Sequence, residues 1–339
     1  MISLNAADPT GQPGQAGDPA QLEMLDVEFA SDKNVTVISY GGGQESTWIV
    51  YKCAMDPEFR RRFAPGRLVV IGSDTGDEHD ETYEHIEFMK EFCSIHGIEF
   101  HWITSDMGYH SESWSSLIGQ YRRNNTVGSK AFSRTCTDNL KIGPLYRFLG
   151  AWIAQNYGLH YDRSKLGKTF FPFAAKMGKI NMVIGFTSTE VARKIKTLAT
   201  VDSTESSISK FRRATVEFSF PLIDLDMDRA ATQIDTRAMG LPLCPPSNCK
   251  RCHFRGEEEL LWLYRFERIA FDEWVQLEAN KIAKFAPTTA AVGKKNLGVY
   301  GERMLPEMIA RAIAKHGGMT DAELHGFRNS HGHAVSNGY

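Results

Sequence analysis

The chain reads as an α/β protein, a parallel sheet flanked by helices, with a small C-terminal helical region that carries a cysteine cluster. Three observations predict this. Apolar, β-branched runs of strand length recur at residues 35–40, 67–74, 98–104 and 180–185. Helix-length segments separate them, and strand–helix–strand alternation means parallel pairing with right-handed crossovers. The first two strands end in turns rich in glycine and acid, Gly41-Gly42-Gly43 and Asp74-Thr75-Gly76. In such sheets ligands bind at the carboxyl ends of the strands.

Residues 1–30, rich in Gly, Pro, Ala, Asp and Gln, predict a disordered or loosely packed arm. The first strand holds Val35, Val37 and Ile38 and runs into the three glycines, Gln44, Glu45, Ser46 and Thr47, then into an apolar helix reaching about Asp56. Glycines let backbone N–H groups converge on a ligand, and a helix start offers unpaired donors and a partial positive charge. That combination favours a phosphate. No Gly-Lys-Ser/Thr ending follows, so β/γ-phosphate chemistry lacks its lysine.

A helix is predicted from Glu81 to His96 with Tyr83, Ile86, Met89, Phe92 and Cys93 at helical spacing and Gly97 as its C-cap. Cys53 and Cys93 read as core thiols. Residues 105–138 look polar and irregular, a loop over the site with Arg122, Arg123, Lys130 and Arg134. A helix with Leu145, Phe148, Leu149, Trp152 and Ile153 on one face follows, then the strand at 180–185. Residues 195–216 read as a polar segment, 216–224 as a return to order, and a short helix follows with Asp228 as N-cap and Gly240 beyond its end. The expected division is an arm at 1–30, a nucleotide-binding domain at 31–225, a helical cysteine region at 226–285 and a flexible tail at 286–339.

The chain has 339 residues, net charge −2 and a pI near 6.6, so no global field draws it to nucleic acid. No apolar run has the length of a membrane span. Six cysteines without an export signal are not a disulfide framework, which points to a reducing cytoplasm in a bacterial or phage-infected cell.

Gly41-Gly42-Gly43-Gln44-Glu45-Ser46 resembles the pyrophosphate loop of the adenine-nucleotide alpha-hydrolase (PP-loop) superfamily. Asp74-Thr75-Gly76 with Glu81-Thr82 is similar to an element of its phosphoadenosine phosphosulfate (PAPS) reductase branch. Cys136 with Lys141-Ile142-Gly143-Pro144-Leu145, and Gly185 with Glu190 and Arg193, are similar to two further elements of that branch. The four occur in order over about residues 35–255. The nearest likeness is to phage and bacterial PAPS-reductase-like proteins with a terminal Cys cluster, including the ATP pyrophosphatases of DNA phosphorothioation systems. A Rossmann-like fold is what this resemblance implies.

It also implies ATP with Mg²⁺, cleaved between the α- and β-phosphates to adenylate a substrate. AMP is then displaced by a nucleophile, often sulfur from a donor or modification-system protein. The positions carried over for nucleotide binding are Ser39, Gly41, Gly42, Gly43, Gln44, Ser46, Thr47, Asp74, Thr75, Gly76 and Gly185. Those for catalysis are Glu45, Ser46, Asp74, Lys141 and Arg193. In this reading Glu45 fixes Mg²⁺, Ser46 holds the departing pyrophosphate, and Arg193 and Lys141 neutralise charge at phosphorus. Two departures stand out. Gly41 and Glu45 occupy the loop's usual Ser and Asp positions, and no cysteine follows Cys252, where true reductases keep their catalytic Glu-Cys-Gly.

Cys249-x-x-Cys252, with Cys244 five residues earlier, has metal-ligand spacing, and Cys136 is the candidate fourth ligand. Four thiolates suit a [4Fe–4S] cluster or Zn²⁺ (His253 replacing one ligand in the zinc reading), and spacing does not separate the two. Unliganded reduced thiols are the plain alternative. Lys210, Arg212, Arg213, Lys250, Arg251, Arg122 and Arg123 could form a basic rim for nucleic acid, against the commoner meaning of a solvated face. Three functions compete: an adenylating ATP pyrophosphatase for sulfur transfer or nucleic-acid modification, a PAPS reductase using an external thiol, and a non-catalytic nucleotide-binding module in a modification or defence complex.

Overall fold

The computed structural model describes residues 34–132, 135–202, 207–291 and 297–336. The expected N-terminal arm and Arg134 lie outside these residues. The strand at Val35–Tyr40 (β1) is followed by helices α1 (Gln44–Met55) and α2 (Pro57–Phe63), then by β2 (Arg67–Ser73), α3 (Asp80–Ile95) and β3 (Glu99–Ile103). Helices α4 (Leu117–Asn124), α5 (Gly143–Tyr157) and α6 (Gly167–Met177) precede β4 (Ile180–Ile184). After it come α7 (Val191–Asp202), α8 (Ser207–Thr215), β5 (Val216–Ser219) and α9 (Arg229–Ala238). The chain continues through α10 (Glu257–Phe266), α11 (Arg268–Ala291), α12 (Leu305–His316) and α13 (Asp321–Ser336).

All four strand pairings are parallel, in the order β3-β2-β1-β4-β5, with Val37 beside Val69 and Ile38 beside Val183. The period of two assigns the faces. Ile38, Tyr40, Leu68, Val70 and Val183 meet α1 and α3 through Trp48, Ile49, Ile86, Met89 and Phe92. Val35, Val37, Val69, Ile71 and Met182 meet α5, α6 and α8 through Leu149, Trp152, Ile153, Phe170 and Phe211. Both faces are covered, as the unbroken apolar strands require. The order reverses between β1 and β4, so the carboxyl ends of those two strands form the switch point where such sheets bind ligands.

Several expectations change. Within the segment read as irregular, α4 forms because Ser116 Oγ accepts from Gly119 N at 2.9 Å and Leu117, Ile118 and Tyr121 are apolar on one side. The polar stretch 195–216 is carried by α7 and α8, which hold only a narrow apolar seam with Val201 and Phe211 buried. The return to order expected over 216–224 is a short strand ending at Ser219, after which Pro221 opens a helical turn, Pro221–Asp224. Cys53 and Cys93 lie in the core, where burial pushes both thiols up to about 12.

The largest difference is at the C-terminus. Residues 305–336, read as flexible tail, are helical, and Leu305, Met308, Ile309, Ala312 and Leu324 are buried against Leu260, Leu261, Leu263 and Trp274. The same second core takes Leu117, Tyr121 and Leu140 from the first half of the chain. An Ala-, Gly- and His-rich composition hid this region: α12 carries one buried apolar stripe, and α13 brings few apolar residues. Among the described residues no helix is long and apolar enough to cross a membrane.

Candidate active site

After β1 the backbone turns through Gly42 at φ +70°, the left-handed region that favours glycine. Helix α1 then starts with Gly43 as an N-cap that has no side-chain bond, so its first N–H groups keep no such partner. Ser46 ties the turn together: its hydroxyl donates to Gly43 O at 3.1 Å and accepts from Gly41 N at 3.2 Å. A Cβ on Gly41 would meet only Ser46 Oγ, at 4.0 Å, so the space above the first glycine is open. Gly185, just past β4, closes the other side; a Cβ there would stand 3.0 Å from Ser46 N and 3.1 Å from Glu45 C. The structure thus brings Gly185 against the loop. Ser39 lies half-buried in β1, in register with Ile71 and Ile184.

The far wall comes from a region the sequence motifs did not touch. Arg229, first residue of α9, donates through Nε to Glu45 Oε1 at 2.6 Å. Gln233 Nε2 donates to Gln44 Oε1 at 2.8 Å, Cys244 Sγ to Gly42 O at 3.2 Å, and Ser247 Oγ to Gly41 O at 2.5 Å. Trp48 Nε1 donates to Asp235 at 2.7 Å and fixes α9 on α1. From the C-terminal helix α13, Asn329 O accepts from Gln44 Nε2 at 3.0 Å, while the buried Arg328 pairs with Glu81 and lies over the Trp262 ring at 4.1 Å. No local pattern marks Arg229, Gln233, Ser247 or Arg328 in the sequence.

Behind the loop Tyr40 OH, Thr47 Oγ1 and His85 Nε2 form a buried chain with steps of 3.0 and 3.3 Å. Burial lowers the His85 pKa from 6.5 to about 4, and burial lowers that of His79 to about 3. Both histidines are neutral when folded and charge more readily when unfolded. Their contribution to stability is therefore present above pH 6.5 and is lost as the pH falls toward 4. Well below pH 6.5 each is expected to cost about 1.4 kcal/mol per pH unit. Urea unfolding from pH 7 to 4.5 should show this slope, and His85→Gln should remove its share; equal slopes in the two proteins would contradict it.

Asp74, at the carboxyl end of β2, accepts from Gly76 N at 2.7 Å and Tyr83 OH at 2.9 Å. Burial raises its pKa against these two bonds. Thr75 Oγ1 donates to Glu78 at 2.9 Å and receives the Cys249 thiol at 3.2 Å. Lys141 Nζ lies 3.7 Å from Glu78. Burial works against its charge, and Glu78 with the thiols of Cys249, Cys136 and Cys252 overcomes it and raises its pKa. The segment is pinned here by Lys250 N to Asp77 O at 2.6 Å and by Arg251 to Asp77, whose pKa burial raises to about 6. Arg193, the other expected cation, pairs with Glu190 and covers the Phe186 ring at 4.3 Å.

The four expected metal ligands do not assemble. Cys136, Cys249 and Cys252 all raise the Lys141 pKa, but the Cys244 thiol is buried and bound to Gly42 O in the glycine turn. Among the described residues no three His, Cys, Asp or Glu side chains stand where they could hold one metal ion. Neither a four-thiolate cluster nor zinc fits this arrangement. The basic rim is divided too. Arg122 and Arg251 pair with Glu273, and Lys250 with Asp80 and Glu267. Arg123 donates to the Glu112 and Ser113 carbonyls, while Arg212 and Arg213 lie on α8, Arg212 over Tyr146.

No protein-family model matches the chain. No curated protein matches it. Among solved structures it is similar to the U34-tRNA thiolase NcsA from Methanococcus maripaludis with its [4Fe-4S] cluster, at 14% identity and a TM-score of 0.37. The match covers 66% of this chain and 64% of that one, less than two thirds of the neighbour's length. Similarity of that degree carries no argument about function.

Proposed function

We propose that the protein is a PP-loop ATP pyrophosphatase, cleaving ATP to AMP and pyrophosphate to adenylate a substrate. The observation that carries this reading is the open glycine turn at the β1–β4 switch point, walled by Gly185 and lacking a lysine. The N–H groups at the start of α1 bind the β- and γ-phosphates, and Ser46 holds the turn in shape while they depart as pyrophosphate. Glu45 is the carboxylate suited to Mg²⁺, which is usually held by one or two acids plus phosphate oxygens. When bound, that ion supplies charge neutralisation on the leaving pyrophosphate. The acceptor oxygen attacks the α-phosphorus as the bond to the β-phosphate breaks, and Asp74, Lys141 and Arg193 are the residues assigned to that step.

Sulfur transfer is the finer reading. Its support is the Cys249 thiol 3.2 Å from Thr75, one residue from Asp74, with Cys136 and Cys252 close to the same lysine. A sulfur nucleophile there is placed to displace AMP from an adenylate. Nucleic acid as the acceptor rests on Lys210, Arg212 and Arg213 of α8, because Arg122, Lys250 and Arg251 are committed to carboxylates.

The test is incubation with Mg²⁺ and ATP labelled at the α- and γ-phosphates. AMP and labelled pyrophosphate are expected, reduced about 10–100-fold by Ser46→Ala. Release of ADP and orthophosphate would overturn the reading.

A further inference from the structure

The phosphate loop needs a cation that the motifs do not supply. The start of a helix offers only about half an elementary charge, and the loop has no lysine. Lys141, Arg193 and Arg328 are paired with Glu78, Glu190 and Glu81, none of which belongs to the loop. Arg229 differs. Its carboxylate partner is Glu45, in the first turn of α1, and their side chains are only 11% and 13% exposed. Glu45 Oε2 in turn lies 3.7 Å from where a Gly43 Cβ would be, so this carboxylate stands beside the turn.

We propose that Arg229 is the phosphate-binding cation of the site, held on Glu45 until Mg²⁺ and nucleotide arrive and then exchanged onto the phosphate chain. This rests on the nucleotide reading above.

The exchange is balanced charge for charge. A carboxylate bonded to a guanidinium at 2.6 Å is a poor ligand for a second cation. When Glu45 turns to Mg²⁺, Arg229 loses that carboxylate in a largely buried place, where an uncompensated charge is costly. A phosphate oxygen beside it restores the pairing, and the planar guanidinium fork suits phosphate bidentately. The location of Arg229 points the same way. It opens α9, whose N-cap Asp228 accepts from Ala231 N at 2.8 Å, and a cation at a helix start faces the unfavourable pole of the dipole. An anion in front of it is needed, and the loop is where Glu45 or phosphate provides one.

Two binding measurements on the full chain test this without turnover. Mn²⁺ titration of nucleotide-free protein, followed by electron paramagnetic resonance, reads the availability of Glu45. Arg229→Gln is expected to bind Mn²⁺ about 10-fold more tightly than the wild type, since the competing guanidinium is gone. The same variant should bind α,β-methylene-ATP with Mg²⁺ about 10–100-fold more weakly, and Arg229→Lys, which keeps the charge without the fork, should recover part of that loss. A merely structural role would not tighten Mn²⁺ binding. Unchanged Mn²⁺ affinity in Arg229→Gln, or nucleotide affinity equal to wild type in both variants, overturns the assignment. A wild type that binds no α,β-methylene-ATP overturns the nucleotide reading and this assignment with it. Binding by wild type and both variants alike removes Arg229 only.

Discussion

Gly185→Val is expected to lower AMP and pyrophosphate formation by at least about 100-fold, the loss that a misplacement of roughly 1 Å produces at a reacting centre. A Cβ at this position already stands 3.0 Å from Ser46 N and 3.1 Å from Glu45 C, both backbone atoms that cannot swing away as a side chain would. The branched methyls of valine add to that contact, so the start of α1 must move. Its N–H groups then no longer converge on the proposed phosphate position. Gly185 φ lies outside the left-handed region, so valine meets no backbone strain of its own and the sheet should survive. Far-UV circular dichroism and the thermal midpoint should stay close to wild type while nucleotide binding is lost. A variant that binds and cleaves ATP normally would show that the β4 end is not a wall of the site.

Leu324→Ala is expected to destabilise the protein by about 3 kcal/mol, within the range for a fully buried leucine cut to alanine. Leu324 is 1% exposed and packs in the second core beside Trp262 and Leu263. Were α13 the loose tail that its composition suggests, the same change would cost almost nothing, so urea unfolding separates the two cases. The loss should also be felt at the loop. Arg328 and Asn329, one turn further along α13, hold Glu81 and Gln44, and loosening that helix slackens the contact between the C-terminus and the start of α1.

Much of the site was legible because its signals are local. Three glycines after a β-branched strand, with a hydroxyl pair opening the helix, specify a turn whose conformation depends on the next few residues. Asp228 as an N-cap, the buried face of α5 and the core positions of Cys53 and Cys93 were readable for the same reason: caps and periodicity act over one or two turns. Other features were not. Cys244 has the spacing of a metal ligand beside Cys249 and Cys252, yet its thiol is bound to Gly42 O. Arg251 looks like a surface cation in sequence and is buried against Asp77.

By itself, then, the sequence determined the alternation of strands and helices, the glycine turn after β1 and the acid turn after β2. Each follows from hydrophobic period and turn chemistry within a few residues. Only the tertiary structure decided which charges meet and what covers the loop. Arg229 reaches Glu45 across 184 positions and Asn329 reaches Gln44 across 285. No local propensity encodes such pairs. They arise because packing α9 onto α1 and α13 onto α10 buries apolar surface, and the ionic and polar groups carried on those helices must then find partners out of water.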